Sequence, residues 1–200
     1  MDLNTSSYNK IADRWDEIRK TKPIDPCIVA FADRLPVNAG ILDVGCGSGY
    51  PIDVYLTGKG FRVTGIDPSE NMLDKAISLK LDGAAFYCTD LFGFETNETF
   101  DAVIAFDSIF HIPFDRQKDI YPKISALLKP NGLFLFTHGK ESGTVHGTMF
   151  GEPFSYGALD KEILKCELND AGFDIAAFHE DYRDPVTGTR DVLIVARKRE

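Results

Sequence analysis

Residues 41–49 read Ile41-Leu42-Asp43-Val44-Gly45-Cys46-Gly47-Ser48-Gly49: a short apolar run, one acid, then glycines at alternate positions. The apolar run predicts a buried strand that closes on a glycine turn. Alternating glycines let the backbone turn sharply and approach a ligand closely. A helix is expected over 51–59, with Pro51 at a favourable first position, and its N–H groups point at the same spot. A dinucleotide fingerprint reads G-x-G-x-x-G and opens onto a pyrophosphate. Here the spacing is G-x-G-x-G, and the third glycine of that fingerprint would fall on Tyr50. Asp43 stands two residues before the first glycine. A carboxylate there is awkward for a pyrophosphate and sensible for a ligand carrying an ammonium and a sulfonium.

Working outward, short apolar runs alternate with helical patterns, the mark of an α/β chain with a parallel sheet. Strands are expected over 41–44, 62–66, 84–88, 100–106 and 133–137. The run FDAVIAF at 100–106 is apolar enough for burial on both faces. Helices are expected over 6–19, 27–35, 51–59, 116–128, 159–171 and after Ser69, a good N-cap. Two closing strands, 173–178 and 191–197, read as an antiparallel hairpin. Residues 138–157 contain five glycines with no clear period, so a long loop is expected there, and such loops are often functional. The chain reads as a single domain over 1–200, with a helical lid at 1–36, a core at 37–137, and a lid loop, last helix and hairpin at 138–200.

Four acids end strands: Asp43, Asp67, Asp90 and Asp107. In open α/β sheets ligands sit at the carboxyl ends of the strands. Asp67 is about twenty residues beyond the glycine turn, where a carboxylate accepts bonds from ribose hydroxyls. Asp90 is placed for an adenine amino group, or for a local cap before Leu91-Phe92.

These stretches resemble the class I S-adenosylmethionine (SAM) methyltransferases. ILDVGCGSG is similar to their motif I, VTGIDPSENML to their second motif, and CTD at 88–90 to their adenine-contacting acid. FDAVIAFDSIFHI is similar to their fourth strand and LLKPNGLFLFT to their fifth, with Asn131 in place of a glycine. The resemblance implies a three-layer Rossmann-like sandwich, with a mostly parallel seven-stranded sheet and an antiparallel C-terminal hairpin strand. It implies S-adenosyl-L-methionine as cofactor and S-adenosyl-L-homocysteine as product. Asp43 and the loop of Gly45, Cys46, Gly47 and Gly49 would hold the methionine end. Asp67 with Pro68 would hold the ribose. Asp90 and Leu91 would hold the adenine, with Met72 either beside it or in the core. Phe106 and Asp107 would flank the methionine moiety. The opening Tyr8-Asn9-Lys10-Ile11-Ala12-Asp13-Arg14-Trp15 is similar to the N-terminal helix of small-molecule members, in which an aromatic closes over the cofactor. Aromatic faces attract a cationic sulfonium, which suits Tyr8 and Trp15.

The chain has 22 Lys+Arg against 31 Asp+Glu, a formal charge of −9. That balance argues against nucleic acid and anionic membrane surfaces as partners, both of which favour basic proteins. The family's Asp/Asn-Pro-Pro-Tyr/Phe motif for exocyclic-amine nucleic-acid substrates is absent, because its place reads Asp107-Ser108-Ile109-Phe110. No apolar run reaches the ~20 residues that span a bilayer, and the N-terminus shows no apolar signal segment. Cys27, Cys46, Cys88 and Cys166 are scattered, which fits a reducing cytoplasm, and no metal-ligand spacing occurs. The expectation is a cytoplasmic methyltransferase, monomer or homodimer, acting on a small-molecule O, N, S or C nucleophile. His111 is the candidate general base. Two other readings stay open: a SAM-binding module or partner subunit without turnover, and a small NAD-dependent oxidoreductase.

Overall fold

A computed structural model describes residues 2–200. Helices α1 (Leu3–Thr21) and α2 (Pro26–Ala32) come first. Then follow β1 (Gly40–Val44), α3 (Ile52–Gly58), β2 (Arg62–Asp67), α4 (Glu70–Ser78), β3 (Ala84–Cys88) and β4 (Phe100–Ala105). The second half holds α5 (Ile120–Leu127), β5 (Leu128–His138), β6 (Gly143–Met149) and β7 (Glu152–Ala158). It closes with α6 (Lys161–Asp170), β8 (Phe173–Asp184) and β9 (Gly188–Lys198).

Seven strands form one sheet in the order β3-β2-β1-β4-β5-β9-β8. β1 to β5 pair in parallel, and β9 runs antiparallel to both β5 and β8. This is the mixed α/β sheet expected from the motifs. The strand order reverses between β1 and β4, and such a switch point leaves a crevice at the strand carboxyl ends.

The period-2 alternation of strand side chains builds a core on each face. Leu42, Val44, Val103, Phe134 and Phe136 face α5 and α6, whose Ile120, Ile124, Leu164 and Leu168 are fully enclosed. Ile41, Val63, Ile104 and Leu135 face α2 and α3, meeting Ile28, Phe31 and Leu56. A third cluster joins Ile11 and Ala12 of α1 to Met72 of α4 and Phe154 of β7. Helix starts are fixed by side-chain caps. Asp2 accepts from Thr5 N–H at 2.9 Å, Asp25 caps α2, Ser69 caps α4 and Asp160 caps α6.

The expected loop at 138–157 is instead a two-stranded ribbon, β6–β7, paired from Gly143↔Ala158 to Met149↔Glu152. Its two-residue turn, Phe150-Gly151, has both φ angles positive. That is the twist hairpins prefer, reached without the Asn-Gly or Asp-Gly signal that announces it. The ribbon's outer face is polar and glycine-rich, so no alternation survives in the sequence. The helix expected over 116–128 is also shorter. Residues 114–119 wind as a 3-10 segment, and α5 proper begins at Ile120. The closing strands extend further than expected, leaving only residues 185–187 between them.

Phe134 is fully buried and stacks on Phe136 at 4.4 Å between ring centroids. Phe134→Ala should cost about 3–5 kcal/mol through the cavity left behind. Urea denaturation monitored by circular dichroism measures it, and a cost under about 1 kcal/mol would show that the layer can repack.

Candidate active site

At the carboxyl end of the sheet lies a cavity of about 780 Å³. The glycine turn forms its floor, and Tyr8 and Trp15 of α1 form its roof. Gly45 makes the turn possible. Its φ is +82°, and a Cβ there would sit 2.3 Å from the Cβ of Ser108, just past β4. The Ser108 hydroxyl donates to the Val44 carbonyl at 2.5 Å, so the ends of β1 and β4 are drawn together at this point.

All but one of the residues singled out in the sequence line this cavity. Tyr8, Trp15, Asp43, Gly45, Cys46 and Gly47 do so from one side. Asp67, Pro68, Met72, Asp90 and Leu91 do so along its length, and Phe106, Asp107 and His111 close it. The exception is Gly49, expected to touch the cofactor. It turns away from the cavity, and a Cβ there would meet Leu79 at 3.1 Å and Ala76 at 3.6 Å. This glycine serves the close packing of α4 against the turn.

Asp67 holds the turn in shape. One oxygen accepts the Gly47 N–H at 2.9 Å and the other the Ser69 N–H at 2.8 Å. Burial still pushes its carboxyl up to about 6, although both bonds oppose the shift. Each oxygen keeps a lone pair for a further donor. Asp90 takes the local cap, with one oxygen accepting the Gly93 N–H at 2.7 Å.

Asp43 is 2 % exposed, and burial pushes it up to about 7. Beside it lies Asp53 of α3, which no sequence signal had marked. Asp53 is fully buried, and neither of its oxygens has a donor among the described residues except Asp43's own carboxyl. Two carboxylates in one dry site cannot both ionise, so a proton stays with the pair, held more firmly by Asp53.

Asp107 adopts a left-handed φ of +57°, and its N–H donates to Thr137 Oγ1 at 2.7 Å. Its carboxylate is clamped by Arg190 of β9, with Nε and Nη2 at 3.0–3.2 Å. Arg190 also reaches Asp25 at 3.4 Å. The negative charge of Asp107 is therefore already compensated from within the fold. Arg19 is a second residue without a sequence signal. It lines the cavity, donates through Nε to the Tyr50 carbonyl at 3.3 Å, and has no ion pair among the described residues. Burial lowers its affinity for its proton, and Asp107 opposes the shift.

His111 sits between the roof and the acids. Its Nδ1 lies 3.2 Å from the Ser155 carbonyl, which only accepts, so Nδ1 carries the proton. Nε2 is then a lone pair, and Tyr8 donates to it at 2.9 Å. Burial depresses the imidazole to about 4, against the pull of Asp107 and Asp2. His138 is different: it is 2 % exposed, and its Nε2 accepts the Leu159 N–H, which is a structural role. His146 lines the cavity at its exposed edge.

Residues 41–132 match the methyltransferase domain family model. A Bacillus subtilis (strain 168) protein classed as a methyltransferase, YqeM, is 33% identical over 141 residues, 64% of this chain and 54% of its own length. The ubiquinone biosynthesis O-methyltransferase of Coxiella burnetii (strain RSA 493 / Nine Mile phase I) is 29% identical over 159 residues, 74% of this chain and 67% of its own length. In fold, the CcbJ methyltransferase from Streptomyces caelestis superposes with a TM-score of 0.78 at 19% identity, covering 100% of both chains. By these likenesses the chain resembles methyltransferases, with the family model matched over residues 41–132. It spans about half the length of YqeM.

The acid pair gives a measurable pH signature. Unfolded aspartates ionise near pH 4, whereas folded Asp43 keeps its proton to about 7. The stability this lends is full below about pH 4 and is lost as pH rises through 7. His111 works the other way, losing its contribution as pH falls from 6.5 towards 4. Between pH 6.5 and 8 the ligand-free protein should therefore lose at least about 1 kcal/mol. In Asp53→Asn that loss should at least halve, because Asp43 no longer faces a second acid. Urea titrations at the two pH values test this, and an unchanged pH slope in the variant would refute the pairing.

Proposed function

We propose that the chain is an S-adenosylmethionine-dependent methyltransferase acting on a small molecule, active in the cytoplasm. The observation that carries this reading is one enclosed cavity holding the glycine turn, the acids and the aromatic roof together. The residues fit the cofactor's charges. Asp43 suits its ammonium end, and the N–H groups of the turn suit its carboxylate. Arg19, with no ion pair of its own, also suits its carboxylate. Trp15 and Tyr8 offer aromatic faces to its sulfonium. Asp67 has lone pairs left for two ribose hydroxyls. Leu91, buried, and Pro68 and Asp90 flank the place of the adenine. When bound, the cofactor supplies a methyl group on an activated sulfonium, and S-adenosylhomocysteine is what remains.

The protein's work is then positioning and exclusion of water. The roof closes over the site through Asn4, whose amide donates to the His111 and Ser155 carbonyls at 3.0 and 2.8 Å. Ser7 adds a bond to the Pro153 carbonyl at 2.7 Å. These bonds are polar and replaceable by water, as a lid requires. Tyr8 and His111 form a relay. A proton from the acceptor passes to Tyr8 Oη while the Tyr8 proton passes to His111 Nε2. Asp107 and Asp2 stabilise the imidazolium so formed.

Isothermal titration tests the reading directly. SAM should bind and NAD should not; the reverse would overturn it in favour of a dinucleotide enzyme. SAM binding with no S-adenosylhomocysteine release on any acceptor would favour a binding module instead. Asp67→Ala should weaken SAM by about 1–3 kcal/mol through unpaired hydroxyls, and unchanged affinity would refute the ribose role. His111→Ala should lower kcat while leaving SAM affinity within about twofold; an unaltered rate would remove the relay.

A further inference from the structure

The end of the cavity formed by residues 2–3, 92 and 112–116 carries its own chemistry. Its walls are apolar, with Leu3, Phe92, Ile112, Pro113 and Phe114. Leu3 and Phe114 are 46 % and 40 % exposed, so the apolar surface runs out to the mouth. Behind them His111 packs against Tyr8, Phe110, Phe154 and Tyr156 at 4.8–5.7 Å between centroids.

The charges here are one-sided. Asp2 and Asp115 line this end, and neither forms an ion pair among the described residues. Among the described residues at this end the cation is Arg116, and it is already committed. It bonds Asp119 at 2.5 Å and lies over the Phe92 ring at 4.1 Å. An anionic ligand would meet two carboxylates with no free partner, whereas a cationic one would meet two acids and aromatic faces. The hydrogen-bond inventory leans the same way. Tyr8 spends its proton on His111 and turns its remaining lone pairs to the cavity. Asn4 has spent its amide on backbone groups.

The reactive end narrows the class further. A neutral imidazole whose lone pair is taken by a phenol is a weak base. It has no means of stripping an alcohol, and among the described residues no unpaired cation stands at this end to hold an oxyanion. An amine asks less, since only an ammonium proton has to leave. Burial and the like charge of a neighbouring sulfonium both favour that loss.

We propose that the acceptor is an amine on an apolar, arylalkyl-type body without anionic groups, drawn in by Asp2 and Asp115. This rests on the methyltransferase reading of the same cavity. The acceptor enters as an ammonium and gives one proton to Tyr8 Oη, as the Tyr8 proton moves to His111 Nε2. The freed nitrogen lone pair forms the new C–N bond while the C–S bond breaks with its electrons going to sulfur. A methylammonium and a neutral thioether result, and the imidazolium returns its proton to water. One positive charge thus passes from sulfonium to imidazole, within reach of acids that stabilise it.

Three probes of matched body separate the classes: 2-phenylethylamine, 3-phenylpropionate and 2-phenylethanol. Their binding to the protein with S-adenosylhomocysteine present, read by calorimetry, should favour the amine over the carboxylate by tenfold or more. S-adenosylhomocysteine release from SAM should follow the same order. Asp115 is exposed, so Asp115→Asn should fold normally, weaken the amine about three- to tenfold and leave SAM affinity unchanged. Carboxylate or alcohol binding as tight as the amine, or an Asp115→Asn variant indistinguishable from the parent, overturns the proposal. So does binding of none of the three when SAM binds. Failure of SAM itself to bind overturns the methyltransferase reading, and is seen separately in the same instrument.

Discussion

Everything around the cavity hangs on one carboxylate receiving two amide protons. Asp67 ends β2, and by accepting from Gly47 and Ser69 it ties the glycine turn to the start of α4. The turn has no side chains with which to stabilise itself. Its three positive-φ glycines would be conformationally loose in isolation, and the acid fixes them by satisfying an N–H that the strand cannot. The same acid faces the cavity. Its lone pairs outnumber the two donors the fold supplies.

Around that stitch the fold separates apolar cohesion from polar closure. Two dry layers flank the sheet, while α1 touches the rest partly through replaceable polar bonds. Asn9 accepts from Ser69 and from the Asn71 N–H, Lys10 meets Glu152, and Lys75 meets Asp13. Exposed pairs of this kind add little stability. The apolar contacts of Ile11 and Ala12 with Met72 and Phe154 supply the register. These contacts seat the helix in one place over the cavity.

The glycine turn, the strand order and the acids were legible because each rests on a local rule: period, strand end or turn residue. What stayed hidden has a physical pattern. Asp53, Arg19 and Arg190 act through partners 10, 31 and 83 residues away, and a lone charged residue on a helix or strand carries no mark of that. The β6–β7 ribbon was hidden for a different reason. Its inward side chains, Phe154 and Tyr156, pack on α1 and His111, so its pattern makes sense only once those elements are in place. Gly49 lies outside the cavity lining and against α4: one residue type serves both ligand approach and helix packing.

Arg190 ties together parts of the chain far apart in sequence. Asp107 belongs to the middle of the chain and Asp25 to its beginning, yet both take their counter-charge from β9, the last strand. Residues 1–180 contain the glycine turn, Asp67 and His111, yet without β9 they leave Asp107 and Asp25 without their cation. The counter-charges of Asp107 and Asp25 are therefore in place only when the closing hairpin has docked.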